Sequence, residues 1–200
     1  CSDAGTPLVS DPGFELVRAA FDAEVPVVPL PGVSAVTAAL SVSPLPVSRF
    51  LFEGFLPSKA AQRRSRLAHL CDLDVSIVCF ESPRRLGEML ADVVEVMGDR
   101  RVFLAKEITK IHERFTAGTA ATLRDVVAAD PAYALGEYVV VIGAAERDGD
   151  ALSGAARKLI RHLCDELPPS QAARIAARCL DVTKSQAYEF AMSLRPGPQQ

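Results

Sequence analysis

The densest run of chemically useful residues opens the chain: Ser2-Asp3-Ala4-Gly5-Thr6-Pro7-Leu8-Val9-Ser10-Asp11-Pro12-Gly13. Gly5 permits a positive φ or a close backbone approach, and Thr6-Pro7 stiffens the turn after it. With Cys1-Ser2 read as the end of a strand, this loop lies at the carboxyl edge of a sheet. Open α/β sheets bind their ligands at that edge. A second loop, Pro31-Gly32-Val33-Ser34-Ala35, leads from strand to helix. Its free N–H groups and the Ser34 hydroxyl suit a ligand carboxylate or a ribose hydroxyl. Either loop alone reads as a turn, and the two together shift the balance towards a site.

Metal and disulfide chemistry are not indicated. The five cysteines (Cys1, Cys71, Cys79, Cys164, Cys179) are odd in number, widely spaced and without a CxxC pair. His69 and His162 each stand two residues before a cysteine, but no second pair completes zinc-site spacing. Reduced cysteines in a cytoplasmic protein are the expectation, with no metal. His69, His112 and His162 read as structural or exposed residues.

The elements that must position the loops follow from periodicity. Ser10-Asp11-Pro12 looks like a helix start with Asp11 as cap, followed by Phe14, Val17 and Phe21 at helical spacing. Residues 25–30 are valine-rich and read as a short strand centred on Val27-Val28, limited by Pro26 and Pro29. Residues 35–40 read as a helix. Ser43-Pro44-Leu45-Pro46 breaks the pattern and reads as a linker. Strands are then expected over 49–55, 74–80, 101–106, 112–116 and 137–143. Helices are expected over 59–70, 83–97 and 119–128. This alternation predicts an α/β fold. From residue 151 the pattern is helical only, over 152–166, 171–180 and 184–194, with Thr183 as a cap. The last two helices and their three-residue corner have the lengths of a helix-turn-helix. Lys184, Ser185, Gln186 and Tyr188 would be exposed on the second of them. Nucleic-acid contact and a small three-helix cap are both open readings. The expected organisation is therefore 1–48, part of a first α/β domain; 49–148, a second α/β domain; and 149–200, a helical tail.

Composition agrees with a folded globular chain. The 200 residues are 49% apolar and 24% charged, which excludes wholesale disorder. The longest apolar runs, such as residues 138–142, are strand-sized, so no transmembrane span is expected. The net charge of −3 hides an asymmetry. Residues 1–150 hold 15 Lys and Arg against 21 Asp and Glu, a net −6. Residues 151–200 hold 7 against 4, a net +3. A basic tail on an acidic body suits an anionic partner, although a solvated helix face explains it as well.

SDAGTPLVSDPG, followed in order by VPLPGVSA, FEGFLP, FESPRR, AKEITK and GEYVVVI, resembles the tetrapyrrole methylase superfamily. Within it the chain is similar to the ribosomal RNA small-subunit methyltransferase I family over residues 2–194. The resemblance implies two α/β domains with S-adenosylmethionine in the cleft between them, usually in a homodimer. It implies transfer of a methyl group to the ribose 2′-OH of a cytidine in 16S rRNA. Family members carry a further stretch before SDAGTP with a Pro-Ile-Gly-Asn cofactor loop. This sequence lacks it, so an N-terminally truncated form with impaired cofactor binding is the expectation.

Carried over position by position, Asp3, Ala4, Gly5 and Thr6 with Pro31, Gly32, Val33 and Ser34 would line the cofactor pocket. Glu53 and Gly54 would enter the cleft from the second domain. Methyl transfer from a sulfonium requires alignment of oxygen, methyl and sulfur, and help in losing the 2′-OH proton. Glu81 or Glu107 would be that base, or Lys110 would orient the hydroxyl and a phosphate. The alternative for either carboxylate is an ion pair with an arginine such as Arg84 or Arg85. Arg63, Arg64 and Arg66, with Lys59 and Arg84-Arg85, would contact RNA phosphates, and Lys184 and Gln186 would do so from the tail. Two rival functions remain: a porphyrinoid or diphthine-type methylase of the same fold, and a non-catalytic nucleic-acid-binding fragment. Gly5-Thr6-Pro7 and the tail favour the rRNA enzyme, since the rival methylases usually carry Gly-Asp-Pro there.

Overall fold

The computed structural model describes residues 5–145, 152, 154–180 and 182–194. Asp3 and Ala4 of the opening loop, the link at 147–150, Asp181 and residues 195–198 lie outside the described residues. The chain divides into two units, Cys1–Ala144 and Ala145–Gln200.

The first unit runs α1 (Phe14–Asp22), α2 (Ala35–Ser41), β1 (Phe50–Phe55), α3 (Ala60–Leu70), β2 (Ser76–Glu81), α4 (Pro83–Met97), β3 (Arg101–Lys106), β4 (Arg114–Thr119), α5 (Ala120–Ala129), a 3-10 turn (Pro131–Ala134) and β5 (Tyr138–Ile142). The strands form one sheet in the order β1-β2-β5-β3-β4. β1 and β2 are parallel, and β5 runs antiparallel to both β2 and β3. β1, β2 and β3 therefore share a direction and finish at one edge. The sheet is mixed rather than all parallel, because the short link at 107–113 turns β3 back into its antiparallel neighbour β4, and the α5 crossover then carries the chain past β3 to β5 in the direction of β4.

Alternation along the strands builds two cores. Ile77, Cys79, Val102, Leu104, Val140 and Ile142 face α3, α4 and α5, where Leu67, Met89, Leu90 and Leu123 meet them. Val78, Phe103, Val139 and Val141 face the other way, against Val36, Ala39 and Leu40 of α2. The expected spans of α4 and β3 match the structure, with Pro83 in the first turn of α4.

Three local expectations are corrected. α1 begins at Phe14 after Gly13 rather than at an Asp11 cap, and no side chain caps it. Leu8 and Ser10 hold left-handed backbone (φ 68° and 58°), which winds residues 6–13 into turns before the helix starts. Residues 25–30 form no strand. No described strand lies alongside to share a ladder, and Pro26 and Pro29 bring no N–H to one. The resulting surface is apolar: Leu30 is 88% exposed, and Phe14, Leu16 and Phe21 of α1 are also exposed. Finally, β4 starts at Arg114, because residues 107–113 are taken up by a tight loop with Glu107 and Thr109 both at positive φ.

The second unit holds α6 (Gly154–Glu166), α7 (Pro169–Cys179) and α8 (Lys184–Ser193) around Ile160, Ala173, Ala176, Ala187 and Ala191. The small alanines let α7 and α8 approach closely. Thr183 caps α8 as expected, in a reciprocal capping box with Gln186. No helix among the described residues is long and apolar enough to cross a membrane.

Candidate functional site

The carboxyl edge of β1, β2 and β3 collects most of the residues singled out in the sequence. At the end of β1 the ladder slips between Phe52 and Gly54, which bulges Glu53 out of register. Gly54 is buried with φ +70°, and a Cβ there would sit 3.1 Å from Ser10 Oγ. The opening loop thus presses directly on the β1 bulge, a contact that a side chain would obstruct. The Thr6 hydroxyl donates to the Val33 carbonyl (3.1 Å), tying the opening loop to the second loop. Around that bond, Gly5, Pro31, Gly32 and Val33 are exposed, and Ser34 is half-buried without a side-chain capping bond to α2. A Cβ at Gly5 or Gly32 would meet nothing within 4 Å, so both stretches of backbone stand open. Exposed backbone and one uncapped hydroxyl offer neutral hydrogen-bonding groups to a polar ligand.

Beyond β3, the backbone turns sharply and Glu107 sits at φ 47°. Lys110 Nζ donates to Glu107 Oε1 and to Glu137 Oε2, each at 2.9 Å, and Glu137 N also donates to Glu107 Oε1 (2.9 Å). The Lys110 ammonium holds the Glu107 carboxyl below its usual range, assisted by the Glu137 amide. Reciprocally, Glu107 and then Glu137 push Lys110 above its ordinary value, so it stays a cation. Glu113 Oε2 accepts from Thr109 N (2.6 Å), closing the loop on itself. Gly136 (φ +94°) completes the corner, since a Cβ there would fall 2.7 Å from Glu107 Cγ. Lys106, on the adjacent register position, is buried and donates to the Ala132 carbonyl. Tyr138 lies between Lys106 and Glu81 in the ladder, and burial pushes its hydroxyl up to about 12.

Glu81 ends β2 at the same edge, but its side chain is 0% exposed. Ser82 N donates to its Oε1 (2.7 Å), and Arg85 Nη2 lies 3.2 Å from its Oε2. The arginine pairing weighed as the alternative for this residue is the arrangement found. A buried, paired carboxylate does not meet a substrate, so its place as a candidate base is corrected to that of a brace.

Within the arginine run, Arg63 is corrected in the same way. Arg63 is 1% exposed, and its Nε donates to the buried Asp92 Oδ2 at 2.6 Å. Arg64 Nε takes the other Asp92 oxygen (2.7 Å) and Nη1 reaches Glu95 (3.0 Å). Arg66 forks onto Glu53 at 2.5 and 2.8 Å. Arg63 is a core ion-pair residue with no path to phosphate, and Arg64 and Arg66 are engaged on helix α4 and the β1 bulge. In the tail Lys184 is exposed at the start of α8. Gln186 Oε1 instead accepts from the Thr183 N–H and hydroxyl, so that oxygen is part of the cap.

Sequence reasoning gave no part in the site to Glu137, which binds Lys110, or to Gly136 and Ser10, which lie close against Glu107 and Gly54. For Glu137 the signal was present in the GEYVVVI motif, read only as a strand. Among the described residues no three His, Cys, Asp or Glu gather as a metal site.

Comparison with known proteins decides the family. The profile of the tetrapyrrole (corrin/porphyrin) methylases matches residues 1–124, and that of the RsmI C-terminal HTH domain matches residues 150–195. The ribosomal RNA small subunit methyltransferase I of Xylella fastidiosa (strain Temecula1) is 46% identical over 189 residues, covering 94% of this chain and 69% of the relative. The protein of that name in Pseudomonas aeruginosa is 44% identical, covering 96% of this chain and 69% of its own length. The chain belongs to the ribosomal RNA small subunit methyltransferase I family of tetrapyrrole methylases. It spans about two thirds of the length of these family members. The methyltransferase CobJ shares the fold, with a TM-score of 0.53 at 21% identity over 72% of this chain and 64% of that one. Methyltransferases of this family use S-adenosylmethionine.

Proposed function

We propose that this family member transfers a methyl group from S-adenosylmethionine to the ribose 2′-OH of a cytidine in 16S rRNA, within the small ribosomal subunit, as a cytoplasmic homodimer. The observation that carries the reading is the tandem of a methylase body over residues 1–124 and an RsmI-type helix-turn-helix over residues 150–195. The relatives named for ribosomal RNA span both parts, which favours that substrate over a porphyrinoid or diphthine.

In this reading Gly5, Thr6, Pro31, Gly32, Val33 and Ser34, with Gly54 beneath, hold the donor through backbone amides and one hydroxyl. Asp3 and Ala4 precede Gly5 in the sequence. Bound there, the sulfonium supplies an activated methyl group. The chain's own residues then align the acceptor oxygen and exclude competing geometries. Glu107 Oε1 is occupied by Lys110 and Glu137, which leaves Oε2 to accept a hydrogen bond from the 2′-OH and to draw off its proton. Lys110, locked as a cation, donates to the same ribose or its phosphate. Glu53 and Glu81 keep the strand ends in place, and Lys184 contributes an RNA contact from the tail.

The test is incorporation of labelled methyl groups from S-adenosylmethionine into small ribosomal subunits that lack the modification, run beside a porphyrinoid acceptor. Label in the RNA, released by nuclease digestion as ribose-methylated cytidine, is expected. Label in the porphyrinoid, on a base, or in neither acceptor refutes the reading.

A further inference from the structure

Most basic side chains of the first unit already have a partner. Arg63, Arg64, Arg66, Lys110, Arg114 and Arg124 pair with carboxylates, and Arg100 and Lys106 donate to backbone carbonyls. Among the described residues of this unit, four cationic side chains take part in no ion pair or side-chain hydrogen bond: Arg49, Lys59, Arg84 and Arg101. Each is exposed. Arg49 and Arg101 stand at the amino ends of β1 and β3. Lys59 and Arg84 stand at the opposite edge, Lys59 just before α3 and Arg84 in the first turn of α4.

These two positions are electrostatically expensive. A cation in the first turn of a helix opposes the macrodipole. Neither helix has an acidic residue in that turn or a side-chain cap to compensate. The two turns are also fastened together: Arg85 Nη2 donates to the Leu56 and Pro57 carbonyls (2.7 and 3.4 Å), joining the α4 start to the loop that carries Lys59. Two free cations thus stand at the starts of neighbouring helices, on the sheet edge at which β3 also ends. An uncompensated local cost of this kind marks positions kept for an external anion.

We propose that Lys59 and Arg84 form the phosphate contact by which the carboxyl edge of the sheet grips the RNA backbone and brings the target ribose towards Glu107 and Lys110. The proposal rests on the rRNA reading above and moves the phosphate contact away from the Arg63, Arg64 and Arg66 run. Arginine at 84 takes a phosphate through its fork, while lysine at 59 acts as a point charge. No covalent step is involved.

The experiment measures affinity for a single-stranded 16S rRNA oligonucleotide across a salt series, with the whole chain. Each phosphate neutralised on a single strand contributes about 0.7 to the slope of log K against log salt. The Lys59→Gln/Arg84→Gln variant should therefore flatten the slope by about 1.4, with S-adenosylmethionine binding and the circular dichroism spectrum unchanged. Arg49→Gln/Arg101→Gln should keep the wild-type slope, as should the charge-conserving Lys59→Arg/Arg84→Lys. A wild-type slope in Lys59→Gln/Arg84→Gln, or equal flattening in Arg49→Gln/Arg101→Gln, overturns this contact and leaves the rRNA reading standing. Failure of the wild-type chain to bind the oligonucleotide overturns this contact, while the rRNA reading is decided separately by methyl transfer to small subunits.

Discussion

Replacing Arg63 by methionine separates a structural arginine from an RNA-binding one. The guanidinium is buried at 1% exposure and lies 2.6 Å from Asp92, itself 2% exposed, with a further bond to the Ser58 carbonyl at 3.3 Å. Removing one member of such a pair leaves an uncompensated buried charge, which costs about 3–5 kcal/mol. For a protein of this size each kcal/mol moves the melting midpoint by about 2–4 °C, so Arg63→Met should melt about 6–20 °C lower. Asp92→Leu should lose a comparable amount. The double variant should recover most of the loss, because a buried pair exchanged for apolar side chains of similar volume is close to neutral. Arg64→Ala, whose side chain is 47% exposed, should cost no more than about 1 kcal/mol. With no tryptophan in the chain, far-UV circular dichroism is the assay. A wild-type midpoint for Arg63→Met combined with weakened RNA binding would refute the reasoning and return Arg63 to the RNA surface.

Other consequences follow from particular contacts. Gly54→Ala forces a side chain into left-handed backbone 3.1 Å from Ser10 Oγ, and should lose about 1–2 kcal/mol in denaturant titration while raising the KM for S-adenosylmethionine. Unaltered stability and KM would contradict the loop-on-bulge contact. The Glu107 carboxyl titrates below its ordinary 4.5, so its stabilising contribution is complete above that value and is lost as pH falls through the lowered one. Lys110→Met should bring the Glu107 midpoint, followed by carboxyl-carbon NMR, back towards 4.5; an unmoved midpoint would show that Lys110 is not the cause. Burial pushes the Cys79 thiol far up, whereas Cys179 is exposed, so a thiol reagent should label Cys179 in the native protein and Cys79 only after unfolding. Native labelling of Cys79 would contradict its place in the core.

What could be read in the sequence depended on whether the deciding interaction was local. α4 carries its own evidence in Pro83 and a helical apolar stripe, and Thr183 announces the start of α8, so both were legible. Residues 25–30 have strand-like composition, but a strand exists only beside a partner, and no described strand lies alongside them. The Arg63, Arg64 and Arg66 run looked like a solvated or phosphate-facing patch because Asp92 is 29 residues from Arg63 on another helix. The same distance problem hid Glu137, which reaches Lys110 across 27 residues. The candidate site was legible as a set of motifs, and the burial that separates Glu81 from the partly exposed Glu107 was not. Glu81 and Glu107 look alike at strand ends, yet the Glu81 side chain is sealed against Arg85 and that of Glu107 is 17% exposed.

That division is the centre of the account, and the single-turnover rate of methyl transfer by Glu107→Gln tests it most directly. The amide keeps the shape of the side chain but cannot accept the 2′-OH proton. General-base assistance is typically worth about 10²–10⁴-fold, so the rate should fall by about 10²-fold or more while S-adenosylmethionine binding stays at the wild-type value and the melting midpoint drops only by what loss of the Lys110 pair costs. A Glu107→Gln rate within twofold of wild type would contradict the account.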